Sequence, residues 1–372
     1  MHLEADDIIR AHEVFGARGD LISQRRAVFA VAVELLSDGA VPEPGTDVLD
    51  NPLVRGAISE VLSGVAEFRV DCLRPIGQLV APGFSTVLGH SEVRLASSPA
   101  ARTALEGPLS RVADELCRHG DSSWLPTILT GDDVGTAEAW ATLVDGVRLA
   151  QCVAPSLTGD LLPHVVLFAV VRSDTSDRLG SASAREYPGL ILLPEPTSSL
   201  EVAEALIHEG AHQKFFDLAL SNTLLPPPSQ SAPRFVPSWA APGAPHWPLE
   251  QAFAACHAYV CLSVLADAAR SEIEAGLAIH PHSLLPHAAR RAAEIGVWLL
   301  GQEEWVHGQG RHLVQLLLGR QPGDESSVPT ASQTELVSLT GTEVIRRCGA
   351  QTLVAHRGNP VEFYWLGAAG PG

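Results

Sequence analysis

The stretch from Ser198 to Asn222 constrains the fold most, because it reads as one long helix that ends before Pro226-Pro227-Pro228. Ser198-Ser199-Leu200-Glu201 has the form of a capping box, in which a hydroxyl and a carboxylate satisfy free backbone amides at a helix start. Val202, Leu206, Phe216 and Leu220, with Ile207 and Phe215 beside them, then recur at helical spacing. Just upstream, Pro188-Gly189-Leu190-Ile191-Leu192-Leu193-Pro194-Glu195-Pro196 is a short apolar run between prolines, which suits a buried strand. In mid-helix lies His208-Glu209-Gly210-Ala211-His212. Side chains four residues apart share a helical face, so both imidazoles can reach one divalent ion. Glu209 lies between them, close enough to orient a bound water or ligand. Such a pentapeptide also occurs by chance on helices with two surface histidines, but its place in mid-helix after a strand favours a metal site.

The rest of the chain narrows the setting of that helix. Its 372 residues, 46% hydrophobic, can bury a large core and suggest two domains or one large one. A formal net charge of −18, with no Lys/Arg cluster, repels polyphosphate and excludes nucleic acid as an expected partner. The acidic start Met1-His2-Leu3-Glu4-Ala5-Asp6-Asp7 does not read as a signal peptide. The apolar stretch from Leu161 to Val171 is too short to span a bilayer and is broken by Pro163 and His164. A cytoplasmic protein with no membrane partner is expected. Cys72, Cys117, Cys152, Cys256, Cys261 and Cys348 form no C-x-x-C pair, and most read as buried thiols.

The expected fold is mainly α with a small β-sheet, a helical N-terminal region being packed on a metal-binding helical core. Residues 1–125 form the first region and 126–372 the catalytic one, the two being separate or one continuous domain. Helical periodicity runs through Arg26–Leu36, Leu53–Phe68, Leu105–Cys117 and Thr136–Leu149, and Val165–Val171 reads as a strand. Ser173 to Ser183 is a polar loop. Pro226 to Pro248 is proline-rich but carries Trp239 and Trp247, rings that anchor an irregular segment and suit a wall or lid of the site. Pro248 is well placed to open a helix running from Leu249 to about Arg270.

Two histidines hold a metal weakly, so a third ligand is sought. His257, enclosed by small neighbours on the helix after Pro248, is the first choice, with Glu250 seven residues before it and His246 in the preceding loop as alternatives. Two histidines with a glutamate and one open position describe a zinc hydrolase in which Glu209 takes a proton from the metal-bound water. Three ligands on one face with several open positions suit non-haem iron.

Several blocks resemble a family: iron- and 2-oxoglutarate-dependent HExxH-type peptide β-hydroxylases of ribosomal peptide biosynthesis. They are Ser181-Ala182-Ser183 with Pro188-Gly189-Leu190-Ile191-Leu192, the segment Ala203 to Lys214 that holds the motif, and Pro237-Ser238-Trp239 followed by Pro248-Leu249 and the helix of His257. Asp50-Asn51-Pro52-Leu53-Val54 resembles a weaker N-terminal signature. The resemblance implies Fe(II) held by His208, His212 and His257, 2-oxoglutarate as co-substrate, Glu209 in a supporting role, and hydroxylation of a β-carbon in a ribosomal precursor peptide. The distal carboxylate of 2-oxoglutarate needs a cation. Lys214, the sole lysine, points to the opposite helical face, leaving Arg234, Arg290 and Arg291. The alternatives are a zinc peptidase with Glu209 as general base, and a non-catalytic peptide-binding protein with a vestigial site. Oligomeric state leaves no trace in the sequence.

Overall fold

The computed structural model describes residues 4–319 except 42, 111–125, 173–179, 227–230 and 241–245, and beyond 319 the backbone of four short strands. The fold opens on α1 (Ala5–Glu13), α2 (Arg18–Leu36), α3 (Thr46–Leu49) and α4 (Pro52–Leu62), then a hairpin of β1 (Ser85–Leu88) and β2 (Ser91–Arg94), and α5 (Pro99–Ala104). Next come β3 (Thr127–Ile128), α6 (Thr136–Val153), α7 (Pro155–Leu161), β4 (Leu167–Arg172) and β5 (Leu190–Pro194). The helical core follows as α8 (Ser199–Ser221), α9 (Leu249–Ala268), α10 (Arg270–Glu274), α11 (Ala288–Leu300) and α12 (Gly308–Leu317). The last strands are β6 (Leu336–Ser338), β7 (Glu343–Cys348), β8 (Gln351–His356) and β9 (Leu366–Gly367). The architecture is mainly α with small sheets, and the N-terminal helices pack on the helical core that carries the histidine pair.

Strands β3, β4 and β5 form one sheet in that order, with β4 and β5 parallel from Leu167 opposite Leu190 to Val171 opposite Pro194. Their uninterrupted apolar sequences follow from burial on both faces. Phe168, Val170, Ile191 and Leu193 pack with Leu143, Val147, Val202 and Leu206 of α6 and α8, while Leu167, Ala169, Leu190 and Leu192 pack with Ile76, Leu105 and Ile128 on the other side. Strand β5 therefore delivers α8 onto the sheet at a fixed place.

Helix α8 starts as its sequence suggests, with the Glu201 amide donating to the Ser198 hydroxyl at 3.2 Å. The Glu201 carboxylate turns back to the Thr197 amide and hydroxyl at 2.9 and 2.8 Å, one residue earlier than a strict capping box requires. Helix α6 crosses it at Gly146, where a Cβ would meet Val202 Cβ at 2.3 Å and the Ser199 carbonyl oxygen at 2.8 Å. Only glycine admits that approach. Helix α4 ends earlier than the periodicity to Phe68 predicts, because Gly64 takes φ +72° and closes a Schellman turn, with the Val65 amide on the Glu60 carbonyl and the Gly64 amide on that of Val61. The part of the expected helix Leu105–Cys117 beyond residue 110 lies outside the described residues.

Buried ion pairs attach the N-terminal helices to this frame. Arg25 of α2 donates to Asp217 of α8 at 2.6 Å, and Asp217 also bonds the His164 ring. Arg55 of α4 donates to Asp50 and to the carbonyls of Leu49 and Pro188, so it grips the chain just before β5. Helix α9 is long and apolar enough to cross a membrane, more so than Leu161–Val171, but 78% of its apolar window is buried inside the protein.

One expectation is overturned here. The sheets are a two-stranded hairpin, the three-stranded β3-β4-β5 and the antiparallel order β6-β7-β8-β9. Among the described residues they form no closed barrel or jelly roll, the scaffold on which iron/2-oxoglutarate oxygenases are built. The reading as an iron(II)- and 2-oxoglutarate-dependent peptide hydroxylase is therefore set aside, with Fe(II) and 2-oxoglutarate as its cofactors.

Candidate metal centre

Helical spacing stacks His208 and His212 so that their Nε2 atoms lie 3.2 Å apart, with the rings edge to face. Two zinc–nitrogen bonds of about 2.05 Å meeting at the tetrahedral angle put their nitrogens about 3.3 Å apart, so both nitrogens can reach one ion of that size. Ligand atoms of His208, Glu209 and His212 all lie within 4.8 Å of one another, a span with room for a water between the carboxylate and an ion. Among the described residues, no other His, Cys, Asp or Glu joins this group.

Glu209 is buried and held from one side. Ser181 donates its hydroxyl to Oε1 at 2.8 Å, and Ser183 donates to Oε2 at 2.7 Å. The intervening Ala182 pairs antiparallel with Leu192 on β5 and is buried, and strand alternation sends both serines to the side opposite Ala182. Burial raises the affinity of the Glu209 carboxyl for a proton. The charges of His208 and His212 and the hydrogen bonds from Ser183 and Ser181 outweigh it, so the group ionises below its ordinary value. An ionised carboxylate oxygen has two lone-pair sites, so each oxygen can accept a second hydrogen bond beside its serine. The sequence marks Ser181 and Ser183 only through the family resemblance, without a role; their i, i+2 spacing before a strand is the signal that places both on one carboxylate.

The expected third ligand is placed elsewhere. His257 is wholly buried, its Nδ1 bonded to the Ala211 carbonyl at 2.9 Å and its Nε2 to His12 Nε2 at 2.6 Å. Both nitrogens are engaged, so the structure does not bring His257 to the pair. His12 continues through Nδ1 to Asp160 at 2.7 Å, and Asp160 also takes Lys214. Helix α1 thus reaches under the motif helix by a string of polar side chains that the sequence reading did not find. Its signals were the lone lysine and a histidine on an apolar face of the first helix. Glu250, the second alternative, pairs with Arg185, and His246 is exposed. Of the expected cations, Lys214 is buried against Asp160, Arg234 donates to the His246 carbonyl, and Arg290 is exposed.

Tyr259 of α9 packs its ring edge against His208, with centroids 5.8 Å apart. Trp239, from the proline-rich segment, meets Tyr259 at 6.1 Å and Trp247 at 6.1 Å, so these rings form a wall beside His208. Comparison with known proteins gives no match, either to a family model or to a curated protein. The His-Glu-x-x-His group is present, but no homology ties it to the peptide hydroxylases it resembles.

Proposed function

We propose that the chain is a zinc-dependent metallopeptidase in which Glu209 is the general base. The observation that carries the reading is a helix-borne pair of imidazoles whose Nε2 atoms lie 3.2 Å apart, with a carboxylate held by two serine hydroxyls beside it. Zinc held by His208 and His212 would supply a Lewis acid and would lower the pKa of a water bound to it. His208 and His212 orient through rigid packing: His212 stacks on Phe216, and His208 lies against Tyr259. Glu209 accepts the proton of the attacking water at a lone pair its serines leave open, and returns that proton to the departing amine. Ser181 and Ser183 fix the plane of the carboxylate through both exchanges. The wall of Trp239, Trp247 and Tyr259 offers apolar rings to a peptide side chain. A cytoplasmic setting goes with this reading, supported by Cys72, Cys152, Cys256 and Cys261 as free thiols.

The test is cleavage of a mixed peptide pool by the zinc-loaded protein, read by mass spectrometry, with Glu209→Gln alongside. Cleavage is expected in the parent, with a loss of about 10²- to 10⁴-fold in the variant, whose zinc content stays the same. A zinc-loaded parent that cleaves nothing, or a variant that cleaves as well as the parent, contradicts the proposal. Loss of zinc in the variant moves Glu209 from base to ligand.

A further inference from the structure

Arg291 is linked to the histidine pair through the Tyr259 ring, and it is only partly buried. Its guanidinium lies over the Trp239 ring at 4.8 Å and the Tyr259 ring at 5.4 Å, and its Nη1 donates to the Tyr259 hydroxyl at 2.9 Å. Tyr259 in turn touches His208, so the guanidinium stands one ring beyond the metal-binding imidazole. Its Nε is buried without a hydrogen-bond partner. No carboxylate pairs with Arg291 among the described residues, although the chain is strongly acidic.

The acid placed to neutralise it is used elsewhere. Glu294 follows one turn later on α11, where an i, i+3 ion pair is within reach. Its carboxylate instead accepts the amide and hydroxyl of Ser238 at 2.9 and 2.7 Å. That contact draws the chain beside Trp239 against α11 and leaves Arg291 bonded to the Tyr259 hydroxyl, with no carboxylate partner among the described residues. A planar guanidinium stacked on aromatic rings is preorganised for a bidentate carboxylate.

We infer that Arg291, with Trp239 and Tyr259, is the receptor for a substrate carboxylate beside the scissile bond. This deepens the peptidase reading and rests on it for the identity of the substrate as a peptide. The carboxylate comes from a free C-terminus or from an acidic side chain, and Arg291 sets that preference without taking part in bond cleavage.

The experiment is calorimetric titration of the full chain, stripped of metal by a chelator, with N-acetyl-leucine, N-acetyl-leucinamide and the α-amide of N-acetyl-glutamate. At least one of the two acids is expected to bind, and the neutral leucinamide to bind about 10- to 100-fold more weakly, the worth of a charged hydrogen-bonded contact. Binding of N-acetyl-leucine assigns the C-terminal carboxylate, and binding of the glutamate amide assigns the side chain. Arg291→Gln is expected to reduce the acid's affinity to that of leucinamide, while Arg291→Lys keeps part of it through charge without the fork. If a thermal melt shows Arg291→Gln unfolded, the lysine variant decides alone. No binding of either acid, equal binding of acids and amide, or affinity unchanged in a folded variant overturns the inference. Because the titration uses metal-free protein, failure to cleave peptides leaves the carboxylate site standing, and failure here leaves a peptidase for neutral peptides.

Discussion

At the scale of single residues, the distinctive feature is how fully Glu209 is held. Both carboxylate oxygens are occupied by serine hydroxyls from one strand-like segment, which fixes the group more firmly than the motif helix could. Groups that orient a metal site from outside its ligand set affect activity by about 10- to 100-fold when removed. Replacing Ser181 and Ser183 together with alanine is therefore expected to lower kcat by about that factor, with zinc content and KM unchanged. Steady-state kinetics with metal analysis checks this, and unchanged kcat would mean that the serines only fill space. His257 teaches the complementary lesson, since a histidine among alanines on an adjacent helix reads as a ligand until its two hydrogen bonds are seen.

At the scale of elements, two glycines in or against α8 respond oppositely to one change. Gly146→Ala drives a methyl group into Val202 and the Ser199 carbonyl, so the helix pair must separate, at a cost of about 1–3 kcal/mol. Gly210→Ala, between the two histidines, meets Leu161 at 3.4 Å, an ordinary contact, and gains about 0.5–1 kcal/mol from reduced backbone freedom in the unfolded chain. Denaturant titration of both variants gives the signs. Equal destabilisation would show that the crossing of α6 and α8 is not as tight as described. These elements were largely legible in the sequence. The apolar runs of β4 and β5, the serine cap of α8, the stop before Pro226 and the proline that opens α9 are local signals with local causes. The rotation of α9 against α8 was not legible, because it depends on side chains far apart in the chain. His12 meets His257 across 245 positions, and no periodicity encodes that meeting. The same holds for Arg291, whose role depends on Glu294 being drawn away by a loop.

At the scale of the whole molecule, the N-terminal helices, the sheet and the motif helix share buried charge. His164 has no exposure, and its Nδ1 bonds the equally buried Asp217 carboxylate. Burial holds its ring below the ordinary value and prevails over the Asp217 hydrogen bond that favours the charged form. The unfolded imidazole titrates near pH 6.5, so the stability contributed by the neutral ring is full above about that pH. It is lost as pH falls through the lower folded value, since protons then bind the unfolded chain preferentially. Tm should fall on acidification from pH 7, and His164→Gln should lessen the slope; a slope unchanged by the variant would assign acid sensitivity to other groups. The mainly helical body and the site helix were expected from sequence, whereas the chemistry was corrected by the absence of a barrel among the described residues, a property of strand closure that no segment carries alone. The most direct measurement is zinc X-ray absorption on the loaded protein, with metal content per chain. One zinc bound by two imidazoles, with nitrogen or oxygen neighbours at about 2.0–2.1 Å, lost when His208 and His212 are both replaced by alanine, is the expected result. Zinc absent at stoichiometric loading, or retained by that double variant, contradicts it.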